Sequence, residues 1–352
     1  MMRFSLFSVL DNYAHGSSSC AARYRQSLEQ IVAADRHGFA ACWIGEHHSA
    51  LDSRQTLLCP NPAVLLVAAA QRTRRIGLNT AIANLSLRHP LLIAEDYALV
   101  DLLSDGRLGL GLGRGSFGHE YAACGQSAAE SHGRFTESWN VIQQLWRGET
   151  VSFQGRYVRL EQARLNVVPV QQPLPRHWFS VIRAESFAAR GRAAQPIICL
   201  PHLTAESLST LSGLVRTYRS QYLAAGGEAE SYELPLVFYT CLAPTQTEAR
   251  QLGRRALHTF LAHQHQVDHA DLEQQISRLE EREQLCFGTP ADVIRFIEHY
   301  QSEMENRHFV FWLDFGAMEP AYASRSLELL AREVLPRFRN REEKAKKGEL
   351  RT

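Results

Sequence analysis

Short apolar runs alternate along this chain with longer stretches whose apolar residues recur at helical spacing. Eight runs read as strands: residues 4–10, 41–46, 76–83, 107–113, 177–182, 197–200, 236–242 and 308–315. Helical patterns cover residues 21–37, 62–71, 90–103, 134–146, 208–225, 247–263, 290–300 and 323–335. The strand runs are mostly continuous rather than strictly alternating, which is the pattern of parallel strands covered on both faces. One helix start carries its own punctuation: Asn61 can cap it and Pro62 suits its first turn. Eight strand–helix alternations predict an α/β fold, a (β/α)8 TIM barrel. An open, doubly wound sheet shares the βαβα order, but closure removes the two edges that such a sheet would leave.

Two interruptions break the rhythm, after strands four and seven. Residues 150–153 and 156–160 flank Gln154-Gly155 and predict an inserted hairpin. Residues 270–285 are highly charged and helical in pattern, and residues 268–284 are the best candidate for a mobile segment over a site. Residues 1–338 are expected to form one domain, with a charged tail at 339–352.

Composition narrows the function classes. The formal net charge of the 352 residues is +1, so no global field recruits nucleic acid or an anionic membrane. No apolar run approaches the ~18 residues of a membrane span. The seven cysteines are scattered and form no CxxC, which argues against a disulfide framework and a zinc ribbon. A cytoplasmic protein without a structural metal is expected.

In a barrel of this kind the reacting groups stand at the carboxyl ends of the strands. Strand two ends in Glu46-His47-His48, where alternation puts Glu46 and His48 on one side and His47 on the other. A histidine there can exchange protons near neutral pH, or can simply be a polar strand end. A zinc site would need a third ligand, and HExxH is absent. The small residues of strand three would let a flat ring lie against the backbone, or serve plain packing. Strand four carries Gly109, Gly111 and Gly113, then Arg114 and Gly115. Its GxGxxG lies in the wrong unit for a dinucleotide fingerprint. The alternating glycines instead strip one face and leave room for a bulky planar ligand. Arg114 is then a rim cation or an ordinary surface arginine. Ser180 and Arg183 stand before a helix, as an anion site or as a common helix start.

The order of these stretches is more specific than any one of them. Trp43-Ile44-Gly45-Glu46-His47-His48 is followed by Thr73-Arg74-Arg75-Ile76-Gly77-Leu78, then by His89-Pro90-Leu91 with Ala94-Glu95-Asp96. Leu103-Ser104-Asp105-Gly106-Arg107 runs on into Gly111-Leu112-Gly113-Arg114-Gly115. Phe287-Gly288-Thr289-Pro290 and Glu333-Val334-Leu335-Pro336 complete the set. Together they resemble the bacterial luciferase-like flavin-dependent monooxygenase family.

The resemblance implies a barrel with insertions, often dimeric, here a homodimer. It implies reduced FMN delivered by a separate flavin reductase, and O2 as cosubstrate. A flavin hydroperoxide would then oxygenate a small organic substrate, such as a natural-product intermediate. It implies reactive histidines at His47 and His48. A non-proline cis peptide is expected at Ala81–Ile82 against the flavin ring, with Arg114 close to the flavin. A phosphate-binding turn is expected at Ser180, Val181 and Arg183. Two departures matter. Luciferases carry a Glu-Ser pair at that turn, where this chain reads Ser180-Val181-Ile182-Arg183. Their cysteine before the strand-four arginine is Gly113 here, which points away from light emission on a long aldehyde. Hydride transfer with a deazaflavin on the same barrel, or a non-catalytic flavin-binding subunit, are the alternatives.

Overall fold

The computed structural model describes residues 2–13, 20–50, 57–115, 117–229, 232–265 and 269–339. Residues 340–352 of the expected charged tail, and Asp268, lie outside the described residues. The strands are β1 (Arg3–Ser8), β2 (Ala41–Ile44), β3 (Gly77–Asn84), β4 (Leu108–Gly113), β5 (Val151–Gln154) and β6 (Arg159–Ala163). They continue with β7 (Arg176–Val181), β8 (Ile197–Cys199), β9 (Pro235–Leu242), β10 (Leu285–Gly288) and β11 (His308–Trp312). The helices of the first half are α1 (Cys20–His37), α2 (Pro62–Ala70), α3 (Pro90–Leu103), α4 (Gly118–Ala123) and α5 (Ser131–Trp146). Those of the second half are α6 (Ala184–Arg192), α7 (Pro201–Thr204), α8 (Leu208–Ala224), α9 (Gln246–His265), α10 (His269–Glu281), α11 (Pro290–Met304) and α12 (Pro320–Leu329). No described helix is long and apolar enough to cross a membrane.

Hydrogen bonding between strands runs β9-β11-β1-β2-β3-β4-β7-β8 and returns from β8 to β9. The sheet therefore closes on itself as the (β/α)8 barrel that the alternation predicts. The antiparallel β5–β6 hairpin stands outside it, where the pattern after strand four placed it. Asn61 caps α2 as expected, its side chain accepting from the Ala63 amide at 3.0 Å.

One strand, β10, belongs neither to the eight predicted nor to the predicted hairpin. β8 has three residues and meets β9 only at Cys199 opposite Leu236. Further along, Tyr239–Leu242 would lack partners on that side, and a bare strand edge is costly. β10 pairs there in parallel, Leu285 opposite Tyr239 through Gly288 opposite Leu242. It lies within the insertion after strand seven, just past the charged helical stretch. That stretch is helix α10, tied to α9 by Arg254, whose guanidinium pairs with Glu273 and Glu280.

The contacts divide the chain into two compact units, residues 27–180 and residues 1–26 with 181–352. In the first unit, Arg107 gathers the chain at the amino ends of β3 and β4. Its guanidinium donates to the carbonyls of Ala70, Thr73, Ile76 and Ser104 and to the Thr73 hydroxyl. Asp35 accepts the amides of Arg74, Arg75 and Ile76 alongside. Glu137 on α5 accepts the amides of Arg156, Tyr157 and Val158 and so fastens the hairpin.

The second unit buries an aromatic cluster in which the Trp312 ring lies 4.7 Å from Phe7, 4.7 Å from Tyr239 and 4.9 Å from Phe260. Beside β1 and β11 it also buries Asp11, Arg23 and Asp314, with the Arg23 guanidinium 2.7 Å from Asp314 Oδ2. Two carboxylates there share one guanidinium. Burial, against the pull of Arg23, pushes the Asp11 carboxyl up to about 7.

Candidate active site

The first unit carries the polar carboxyl ends of β2, β3 and β4. Past β2 the side chains alternate as the sequence predicts. Glu46 and His48 turn to the same side, with His48 Nε2 donating to Glu46 Oε1 at 2.9 Å. His47 turns the other way, its Nδ1 3.2 Å from Glu120 Oε1. Glu120 stands in the first turn of α4 and is 2% exposed. The same Oε1 accepts the His48 backbone N–H at 2.9 Å. Glu46 Oε2 accepts the Asn84 amide at 3.2 Å, which fastens the end of β3 to the end of β2. The hydrogen bond to Glu46 holds the His48 imidazole above its ordinary value, against the opposing effect of burial. His47 keeps about a fifth of its side chain open, 21%, and Phe117 lies 5.5 Å from its ring.

The Ala81–Ile82 peptide bond is cis, as the resemblance implies. Beside it, the reading of the β4 glycines needs correction. The face they leave bare is not empty space for a ligand. A Cβ on Gly111 would lie 2.4 Å from the Thr80 carbonyl oxygen, and one on Gly113 2.8 Å from the Ile82 side chain. The glycines let β3 approach, so the neighbouring strand fills the volume that their side chains would take. Gly115, at φ +73°, closes the series, with its Cβ position 2.2 Å from Asn84 Nδ2.

Asn84 is 2% exposed. Its Oδ1 accepts the Ser86 amide at 3.1 Å, while Nδ2 is buried without a hydrogen-bond partner among the described residues. Arg114 follows β4 with its side chain exposed and unpaired among the described residues. Its carbonyl accepts the hydroxyl of the buried Tyr121 from α4.

The turn after β7 carries the remaining candidates. Ser180 is half-buried and Arg183 exposed, and Arg183 precedes α6 in an extended conformation with no side-chain cap on the helix. Val181 is 1% exposed, so its side chain belongs to the core and only its backbone is left to meet a ligand.

His47, His48, Ala81, Ile82 and Arg114 thus gather at three adjacent strand ends. Glu120 and Asn84 complete that group and were not candidates in the sequence. The one hint of Glu120 was an acid at the start of a helix after the glycine run, and nothing local links it to His47, 73 positions earlier. Among the described residues, the arrangement offers an imidazole with one nitrogen free of hydrogen bonds, an orphaned amide donor and an unpaired guanidinium. No group of His, Cys, Asp or Glu among the described residues could hold a metal ion.

The oxygenase component of the flavin-dependent trigonelline monooxygenase of Acinetobacter baylyi is 25% identical over 358 residues, covering 96% of each chain. The F420-dependent glucose-6-phosphate dehydrogenase of Amycolatopsis mediterranei is 32% identical over 155 residues, 43% of this chain and 46% of that one. The chain spans about half the length of several curated relatives that it matches. Among solved structures, the monooxygenase RslO1 from Streptomyces bottropensis superposes with a TM-score of 0.84 at 25% identity, covering 96% of this chain and 100% of that one. The profile of the luciferase-like monooxygenases matches residues 2–303, and the chain belongs to that family.

Proposed function

We propose that this chain is the oxygenase of a two-component, FMN-dependent monooxygenase that inserts one oxygen atom of O2 into a small organic substrate. The observation that carries the reading is His47, a part-exposed imidazole backed by a buried carboxylate at the carboxyl end of β2. The residues around it suit an anionic, oxygen-rich ring system. Among the described residues Asn84 Nδ2 is a buried donor without a partner, and Arg114 is an unpaired cation at the next strand end. A ring carbonyl or ring anion would satisfy both. The backbone of Ala81 and Ile82 is the surface against which such a ring would rest. Ser180, the Val181 backbone and Arg183, before the uncapped start of α6, would take a phosphate.

Bound reduced flavin supplies the electron pair that activates O2, and a separate reductase supplies the flavin. The chain's own residues bind, orient and exclude water. His47 accepts and returns a proton at its open nitrogen. The Glu46–His48 pair and the Asn84 amide hold the β2 and β3 ends in register. A homodimer and a role in tailoring natural products in the cytoplasm belong to the same proposal, on the strength of the resemblance.

Replacing His47 by alanine tests it. Binding of reduced FMN should stay within about threefold, while product formation falls roughly 10²–10⁴-fold, the range of acid–base assistance. Unchanged turnover would remove His47 from the mechanism. The F420-dependent relative supports a second reading, hydride transfer without oxygen. Substrate turnover with reduced deazaflavin under argon, and none with reduced FMN in air, would establish that reading instead.

A further inference from the structure

We infer that Glu120 is a positioning residue that fixes the tautomer of His47, so that Nε2 meets the ligand as a proton acceptor and the first proton moves from ligand to protein. This rests on the reading that the ligand meets His47 at the end of β2.

A carboxylate oxygen carries only lone pairs. The ring nitrogen facing Glu120 Oε1, Nδ1 at 3.2 Å, must therefore carry the hydrogen. A neutral imidazole has one N–H, so Nε2 is left with its lone pair. Among the described residues Nε2 makes no hydrogen bond. The carboxylate cannot swing away from this task. It is 2% exposed, its Oε1 also holds the His48 backbone N–H at 2.9 Å, and the Tyr121 hydroxyl anchors α4 to the Arg114 carbonyl.

The neighbouring histidine is set in the opposite sense. His48 donates from Nε2 to Glu46 at 2.9 Å. Two adjacent imidazoles are thus held in opposite tautomers by two different glutamates. Of their engaged nitrogens, the one on His47 faces α4 and the one on His48 faces its own strand end.

The chemistry follows. A ligand O–H or N–H gives its proton to His47 Nε2, the electron pair stays on the ligand heteroatom, and the imidazolium that forms lies against the Glu120 charge. The proton returns to oxygen or nitrogen later in the cycle. The ligand class recognised here carries an acidic hydrogen, as in an enol, a phenol, a peroxide or a ring N–H.

The test is ¹⁵N–¹H correlation of the histidine rings in the full ligand-free chain, with His47 assigned from a His47→Asn variant. The wild-type protein should show the Nδ1–H form of neutral His47. Glu120→Leu, which removes the acceptor facing Nδ1, should lose that preference. Under turnover with reduced FMN it should lower kcat about 10²-fold, with KM within threefold. Glu120→Asp should recover the tautomer in part. An Nε2–H form in the wild-type protein would overturn the inference, as would an unchanged ring spectrum in Glu120→Leu. If Glu120→Leu does not fold, the wild-type spectrum decides alone. The spectra need no cofactor, so failure of the FMN reading would show as absent turnover beside the expected tautomer.

Discussion

Replacing Gly111 by alanine should destabilise the protein by about 3 kcal/mol. The new Cβ would stand 2.4 Å from the Thr80 carbonyl oxygen and 3.3 Å from the Ala81 Cα. A tolerated carbon–oxygen contact is about 3.3 Å, so β3 and β4 must part by roughly 0.9 Å. The opposing atom is backbone, held in the ladder by the Thr80–Leu110 and Ala81–Gly111 pairs, so no side chain can turn aside. Overpacking of this kind costs about 1–3 kcal/mol. Parting the strands also stretches the 3.0 Å bond from the Thr80 hydroxyl to the Gly111 carbonyl, adding about 1 kcal/mol. Gly118, at the first turn of α4, is the control, since nothing stands within 4 Å of its Cβ position. Alanine there should be neutral or stabilising by up to about 1 kcal/mol. Urea unfolding followed by tryptophan fluorescence and by far-ultraviolet dichroism gives both values if the two signals coincide. A Gly111→Ala protein within about 0.5 kcal/mol of wild type, or a Gly118→Ala protein less stable than it, would refute the close-approach argument.

The Glu46–His48 pair should contribute stability below the ordinary imidazole value of 6.5 and lose it as pH rises through the raised value of the folded state. The loss on Glu46→Gln, from unfolding midpoints, should be larger at acid than at alkaline pH, and an equal loss at both would contradict the linkage. Asp11 behaves with the same sign: from 3.8 to about 7 the folded chain holds a proton that the unfolded chain has released. Wild-type stability falls as pH rises through that window, so Asp11→Asn should gain on wild type between pH 4 and pH 8, and a flat difference would show Asp11 ionised in the fold. A thiol reagent should find two fast cysteines, the exposed Cys20 and Cys124. The other five are buried, and burial pushes the thiols of Cys42, Cys59 and Cys199 up to about 12. A third fast thiol in the native protein would show that one of these sites opens.

The eight barrel strands were legible because each is an apolar run bounded by turn residues, and the Asn61 cap because its signal is local. The opposite turns of His47 and His48 were legible because alternation along an extended chain is local too. β10 was not legible: four residues between a charged helix and Thr289-Pro290 are too few to carry a period. The glycines of β4 showed an alternation, yet which neighbour occupies their face is a tertiary fact, and the occupant is β3. Val181 looked like part of a phosphate turn, but it shares the face of Phe179, whose ring packs 6.0 Å from Trp139 of α5. Glu120 and Asn84 become visible only when the strand ends are adjacent in space.

The bracket formed by Arg107 and Asp35 bears on how likeness to other proteins should be weighed. The stretches 73–78 and 103–107, among the most recognisable in this chain, hold helix ends to strand beginnings and touch no candidate chemistry. A change in this fastening would be felt in assembly, whatever the opposite rim handles. Two chains alike in these letters can therefore process unlike molecules, and kinship read from them forecasts architecture better than diet.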